Sequence, residues 1–288
     1  MILLLGGSGY VGTAFRQLLD TKSISYRSVA RADVDYTQRD SLIHLIRETN
    51  PSFLINAAGY SGKPNVDACE LHRSDCLFGN AVLPGVIREA CEQTNLRWGH
   101  VSSGCIFTGA KPDGSGFTES DRPNFSFRTN NCSFYSGCKA LGEEVLEGAE
   151  NCYIWRLRIP FNNVDSPRNY ISKLMNYDCL LSARNSLSEL SDFVAACLHC
   201  AQNDVAPGIY NLTNPGDVTT EDVVEMISRH GLSNKKFRFF ASEDEFMQVA
   251  AKTPRSNCVL DSSKAVAAGI QLPDVHDALE AAMKNWES

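Results

Sequence analysis

The chain opens on four apolar residues, Ile2, Leu3, Leu4 and Leu5, and then turns on glycine. An unbroken apolar run bounded by a turn is the mark of a strand buried on both faces of a parallel sheet. Val11, Phe15, Leu18 and Leu19 then recur at helical spacing, so strand, glycine turn and helix follow one another directly. The same alternation continues: a strand over 25–30, a helix over 41–49 and a second buried strand over 53–58, apolar but for Asn56. A polar irregular stretch over 59–70 precedes a helical stretch that contains Asn80 and ends near Thr94. Residues 97–102 lead into the segment Val-Ser-Ser-Gly-Cys-Ile-Phe, 101–107, at the exposed end of a buried strand. Residues 111–131 are rich in Gly, Pro, Asn and Ser and are expected to form a long binding loop. A helix to about residue 148 and a strand over 152–157 follow.

From Pro160 the strict alternation breaks. A short helix carries Lys173, another spans 192–202, and a strand covers 208–212. Thr219 or Thr220 caps a helix that Gly231 stops, 237–240 form a small strand, and Asp261 and Pro273 open the last two helices. These patterns predict an α/β fold: a Rossmann-type, doubly wound parallel sheet with a smaller C-terminal α/β substrate lobe. The expected division is a dinucleotide-binding domain over 1–160, joined by a return helix at about 190–203, and a substrate-binding lobe over 161–288.

The formal net charge of −7 argues against a nucleic-acid or anionic-membrane partner, both of which need a basic face. The first apolar run is too short for a membrane span or secretory core. Eleven cysteines at irregular spacing are expected to be reduced thiols in a cytoplasmic protein. Cys197 and Cys200 form a C-x-x-C inside an apolar helical pattern and are read as core, not metal or redox ligands. No metal is expected, since the six histidines show no ligand spacing.

Candidate chemistry begins at the glycine turn. Gly6 permits the tight turn, Gly9 lets backbone amides approach a pyrophosphate, and Gly12 lets the helix pack closely, with Tyr10 and Val11 between them. Arg31, just past the second strand, favours NADPH, while Asp33 leaves NADH open. Asn56, Ala57 and Ala58 end the third strand, where Asn56 is expected to face the cofactor. Lys63, Asn65 and Asp67 lie in the following loop, where substrate contacts are expected. Tyr135 and Lys139 are four residues apart and share a helix face. A neighbouring ammonium is expected to lower the phenol from its ordinary value near ~10, tuning it as a general acid, with Ser103 bonding the same substrate oxygen.

The glycine turn, Asn56-Ala-Ala-Gly59, Asn80, Ser103 and Tyr135-x-x-x-Lys139 resemble the extended short-chain dehydrogenase/reductase family. Within it, Pro64-Asn-Val-Asp67, Gly104-Cys-Ile-Phe107, Phe134-Tyr-Ser136, Pro167-Arg-Asn169 with Ile171 and Lys173, and Pro254-Arg-Ser-Asn257 resemble the plant-type UDP-4-keto-6-deoxyglucose 3,5-epimerase/4-reductases. The likeness to dTDP-4-dehydrorhamnose reductases is more distant. The resemblance implies a nucleotide-sugar substrate, an NADPH cofactor (NADH remaining open), and a 4-keto-6-deoxyhexose that is epimerised and then reduced to a 6-deoxysugar such as UDP-rhamnose. It implies that Cys105 and Lys173 are the acid/base groups of epimerisation. Gly104, Arg168, Asn169 and Arg255 would then contact substrate, Arg255 at a phosphate. Asn80 gains its cofactor role from the same resemblance. A homodimer is compatible with it. The loop around 128–132 looks longer than in the plant proteins, and Gly7-Ser8 replaces other residues. The alternatives are a reductase without epimerase activity and a non-catalytic nucleotide-binding subunit of the same fold.

Overall fold

The computed structural model describes residues 1–287. Six parallel strands form one sheet in the order β2-β1-β3-β4-β5 followed by the strand Gly208–Asn211. They are β1 (Ile2–Leu5), β2 (Tyr26–Val29), β3 (Phe53–Asn56), β4 (Trp98–Ser103) and β5 (Cys152–Leu157). The sequence-order reversal falls between β1 and β3, the place where open α/β sheets leave a crevice at their carboxyl ends.

Alternation along β1 explains why it had to be wholly apolar. Ile2 and Leu4 point into one core cluster, while Leu3 and Leu5 point into another. The first cluster seats Phe15 and Leu19 of α1 (Tyr10–Thr21) together with Phe193, Val194 and Cys197 of the helix Leu190–Gln202. The expected return helix therefore packs beside α1. Cys197 and Cys200 both lie inside this apolar core, as their spacing suggested. The second cluster seats α2 (Arg39–Thr49) on the opposite face.

A third core draws only on residues from Phe161 to Met283. It holds the short helix Tyr170–Asn176, the helix Thr220–Arg229 and the helix Val275–Lys284. Thr219 and Asp222 close a reciprocal capping box at the start of the second of these. Gly231, at φ +68°, follows its end.

Two local expectations differ. Residues 237–240 do not form a strand: only a Leu180–Phe239 bridge appears there. Beyond it, outside the sequence reading, Glu243–Val249 is a helix capped by Ser242. Helix Leu190–Gln202 begins two residues before Asp192, because Glu189 accepts the Asp192 amide and serves as cap.

Candidate active site

The glycine turn follows from steric demands on both of its sides. Gly6 sits at φ +76°, and a Cβ there would lie 2.4 Å from the Ala58 nitrogen. A Cβ on Gly12 would lie 2.1 Å from the Gly6 carbonyl. Neither position admits a side chain. Gly9 is exposed, and a Cβ there would meet only the Gly6 oxygen, at 3.4 Å. Gly9 is also the N-cap of α1 and supplies no side-chain hydrogen bond, so the first-turn amides remain available to an anion. This arrangement fits a dinucleotide pyrophosphate. A Gly12→Ala variant is expected to bind NADPH at least about tenfold more weakly, because a real Cβ would force the turn open. Isothermal titration against wild type checks this; unchanged affinity would contradict it.

The two asparagines expected to meet the cofactor, Asn56 and Asn80, are both held by hydrogen bonds within the protein. Asn56 has no exposed surface; its Nδ2 pairs with His100 Nδ1 at 2.9 Å and its Oδ1 accepts from the Ala58 amide at 3.0 Å. It ties the end of β3 to His100 of β4 and to the Ala58 amide beside Gly6. Asn80 is also fully buried, within a π-turn over Phe78–Val82. Its Oδ1 accepts from the Tyr60 amide and its Nδ2 donates to the carbonyls of Tyr60 and Cys76. Ala57 and Ala58 remain half-exposed beside Gly6, and Arg31 is exposed past β2. Tyr10 donates to Asn162 at 3.1 Å, and Val11 packs partly against the core.

At the end of β4 the chain turns through a short 3-10 helix, Gly104–Ile106, for which Ser103 is the cap. The Ser103 hydroxyl accepts the Cys105 amide at 3.2 Å. Facing it is α5 (Phe134–Val145), whose cap Ser133 accepts the Ser136 amide. The Phe134 amide donates to Glu70 of the preceding 3-10 turn Val66–Glu70 at 2.8 Å. Ser103, Cys105, Tyr135 and Lys139 thus come from two elements that meet at one strand end.

Lys139 is buried and donates to the Val101 carbonyl at 3.3 Å. A Cβ built on Gly59 would lie 3.7 Å from its Nζ, so the loop after β3 skirts the same cation. Burial lowers the Lys139 ammonium, against the pull of the Cys105, Glu143, Cys76 and Cys138 charges. Burial also raises the Tyr135 phenol well above its usual value, assisted by the Cys105, Cys69 and Cys76 thiols and opposed by hydrogen bonding with Ser103. The sequence led us to expect a phenol lowered by Lys139; desolvation outweighs that charge here. A phenol that keeps its proton remains suited to donating one.

Cys105 is 7 % exposed and packs with Ile106, Phe107, Phe117, Ala140, Cys258 and Leu260, with Tyr135 against the same cluster. Burial raises its thiol, while hydrogen bonds with Ser103 and Ser136 and the charges of Arg158 and Lys139 act in the opposite sense. The sulfur is therefore apolar-walled yet beside the tyrosine. Gly104 is tightly packed: a Cβ there would lie 2.6 Å from Leu260, and its carbonyl accepts from the Cys258 thiol.

Lys173 is half-buried, and burial, followed by the charge of Arg168, lowers its ammonium. Among the described residues no hydrogen bond or ion pair joins it to Cys105 or Tyr135. Its helix is tied to the site indirectly, since Arg168 donates to the Ser61 hydroxyl at 3.2 Å and the Gly62 carbonyl at 3.1 Å. Asn169 is a fully buried cap: its amide nitrogen serves Asn162 and Val164, and its oxygen accepts from Ile171.

Arg255 makes a two-pronged ion pair with Asp67, at 2.7 and 2.8 Å, so the two expected substrate contacts face each other. Asn65 caps the 3-10 turn that carries Asp67, and Lys63 is exposed in the same loop.

Two polar residues near the site lay outside the sequence reading: Glu143 and Arg158. The signal available was Arg156 within, and Arg158 just after, an otherwise apolar strand, since charge in a buried strand requires a partner or a task.

The family profile described as the RmlD substrate binding domain matches residues 1–288. The chain is 33% identical over 267 residues to the Arabidopsis thaliana trifunctional UDP-glucose 4,6-dehydratase/UDP-4-keto-6-deoxy-D-glucose 3,5-epimerase/UDP-4-keto-L-rhamnose-reductase RHM3, a match covering 91% of this chain and 39% of that protein. It is also 33% identical to the Arabidopsis bifunctional dTDP-4-dehydrorhamnose 3,5-epimerase/dTDP-4-dehydrorhamnose reductase, covering 91% of this chain and 85% of that one. The chain thus spans about two fifths of the trifunctional relative. Among solved structures, the L780 UDP-rhamnose synthase of Acanthamoeba polyphaga mimivirus superimposes with a TM-score of 0.89 at 23% identity, covering 99% of this chain and 98% of that one. Solved structures of the same fold include complexes with NADP and with NAD.

Proposed function

This chain belongs to the RmlD substrate-binding domain family, and we propose that it is an NADPH-dependent 3,5-epimerase/4-reductase of a nucleoside-diphosphate-4-keto-6-deoxyhexose. The observation that carries the reading is the meeting of Ser103, Cys105 and Tyr135 between the end of β4 and the start of α5. A pure reductase needs the hydroxyl and the phenol; a buried thiol against the same phenol adds a second acid/base group.

Bound NADPH would supply a hydride to the C4 carbonyl carbon. Gly6, Gly9, Tyr10, Val11 and Gly12, with Ala57 and Ala58, would border its pyrophosphate and nicotinamide half, and Arg31 its adenosine end. The chain's own residues handle the protons. Ser103 orients the C4 oxygen, and Tyr135, whose raised phenol stays protonated, donates its proton to that oxygen as it becomes an alkoxide. Lys139, held by the Val101 carbonyl, supplies positive charge to the phenolate left behind.

Epimerisation precedes that step, because the intact ketone is what acidifies the protons on C3 and C5. Lys173, whose lowered ammonium gives up its proton more readily, suits the base. Cys105, whose raised thiol retains its proton, suits the acid on the opposite face. For Lys173 to act in the same pocket, its helix must approach through the Arg168–Ser61–Gly62 contacts when substrate binds. A substrate phosphate would compete with Asp67 for Arg255. Residues 1–160 with the return helix then act as the dinucleotide-binding domain, and 161–288 as the substrate lobe.

The test is incubation with NADPH and UDP-, dTDP- or GDP-linked 4-keto-6-deoxyhexoses in heavy water, with product read by NMR. Deuterium at C3 and C5 of a reduced product supports the reading. Reduction without deuterium at either carbon leaves a reductase alone, and no turnover of any of the sugars contradicts enzyme function.

A further inference from the structure

Arg158, immediately after β5, is 5 % exposed. Its guanidinium donates to Asn185 Oδ1 at 2.6 Å and to the Ser256 carbonyl, while its Nε has no partner. Among the described residues no carboxylate lies within ion-pair distance of it. Arg156, two positions earlier, makes the contrast: it too is buried, but Glu143 neutralises it at 2.7 Å. A buried guanidinium held only by neutral acceptors carries a desolvation cost that no ion pair offsets.

The surroundings narrow down what this charge serves. A Cβ on Gly104 would lie 3.3 Å from Arg158 Cδ, so the arginine stem lies against the backbone of the turn that bears Cys105. The groups that feel its charge are the thiols of Cys105 and Cys258 and the phenol of Tyr170. The Cys258 thiol donates to the Gly104 carbonyl at 3.2 Å, and so is engaged in holding the same turn. Cys105 in turn is faced by the Ser103 and Ser136 hydroxyls, the Tyr135 phenol, the Cys69 and Cys132 thiols, and two cations, Lys139 and Arg158. Lys139 is shared with the Val101 carbonyl and lies within the field of Glu143. Arg158 is the cation that no carboxylate offsets.

We propose that Arg158 is a positioning residue for Cys105: it fixes the Gly104–Ile106 turn and supplies the positive charge against which the sulfur becomes an anion after giving its proton to the sugar carbon. In that step the S–H bond breaks and a C–H bond forms, the S–H electron pair stays on sulfur, and the guanidinium keeps all its protons. The inference rests on the reading that Cys105 is an epimerisation acid, and it adds a residue to that reading.

Two variants test it. Arg158→Gln removes the charge, and Arg158→Lys keeps it in a different shape. The pH dependence of Cys105 alkylation by iodoacetamide, followed by peptide mass spectrometry, reports the thiolate without reference to turnover. Removing a neighbouring opposite charge is expected to move the alkylation profile of Arg158→Gln to higher pH, slowing reaction near neutrality by roughly tenfold or more. Arg158→Lys is expected to stay near the wild-type profile. Deuterium exchange into the sugar is expected to fall about tenfold more than ketone reduction in Arg158→Gln. A wild-type alkylation profile in Arg158→Gln overturns the proposal. So does a parallel loss of exchange, reduction and thermal stability in both variants with no profile change. If the wild-type enzyme exchanges no deuterium, the epimerase reading fails, while the alkylation profiles still decide whether Arg158 governs Cys105.

Discussion

Tyr135→Phe is expected to lower ketone reduction by about 10²–10⁴-fold while leaving the affinity for NADPH within a few-fold of wild type. The substitution removes one oxygen from a side chain already packed against Cys69, Cys76 and Cys138, so the fold should tolerate it. What disappears is the proton for the developing alkoxide. Single-turnover reduction of an already epimerised 4-keto sugar measures this step directly; a rate within about threefold of wild type would contradict the role. The same phenol sets a pH expectation. Its pKa is raised, so its acid form persists above the ordinary tyrosine range. The reductive step should therefore not fall between neutrality and about pH 9 through loss of this proton.

Glu143→Ala is expected to cost about 3–5 kcal/mol of folding stability, because it leaves Arg156 buried and unpaired. The carboxylate accepts from Arg156 at three short contacts and from the Ser102 hydroxyl at 2.5 Å. Arg156 also stacks over the Phe107 ring, 5.1 Å from its centroid. The pair therefore ties α5 to β4 and β5 directly behind the catalytic pair. Urea unfolding near neutral pH measures the loss; a midpoint within about 0.5 kcal/mol of wild type would show that the pair is dispensable.

Much of this was legible before any coordinates. Burial on both faces forces a continuous apolar run, so Ile2–Leu5 and Phe53–Asn56 announced themselves. The glycines at Gly6 and Gly12 reported a close backbone approach that the Cβ distances explain. Tyr135 and Lys139 stood out by their helical spacing after a dinucleotide turn and Ser103, whereas Cys105 was singled out only through the family resemblance.

What the sequence left open shares one cause. Asn56, Asn80 and Asn169 are polar residues at strand ends and turns, where a ligand contact and a backbone cap leave the same sequence trace. Three-dimensional neighbours decide between them, and His100, Tyr60 and Asn162 lie 44, 20 and 7 positions away. The Asp67–Arg255 pair spans 188 positions, beyond any local pattern. The direction of the Tyr135 shift was missed because sequence spacing shows a neighbouring charge and does not show the depth of burial.

The most direct measurement is proton exchange uncoupled from reduction. The 4-keto-6-deoxysugar nucleotide is held with enzyme in heavy water without NADPH, and C3 and C5 are followed by NMR. Wild type and Tyr135→Phe should both take up deuterium, whereas Cys105→Ala should lose at least about a hundredfold in uptake at one of the two carbons. Uptake at both carbons in Cys105→Ala at the wild-type rate would contradict the account and reduce this thiol to a piece of the core.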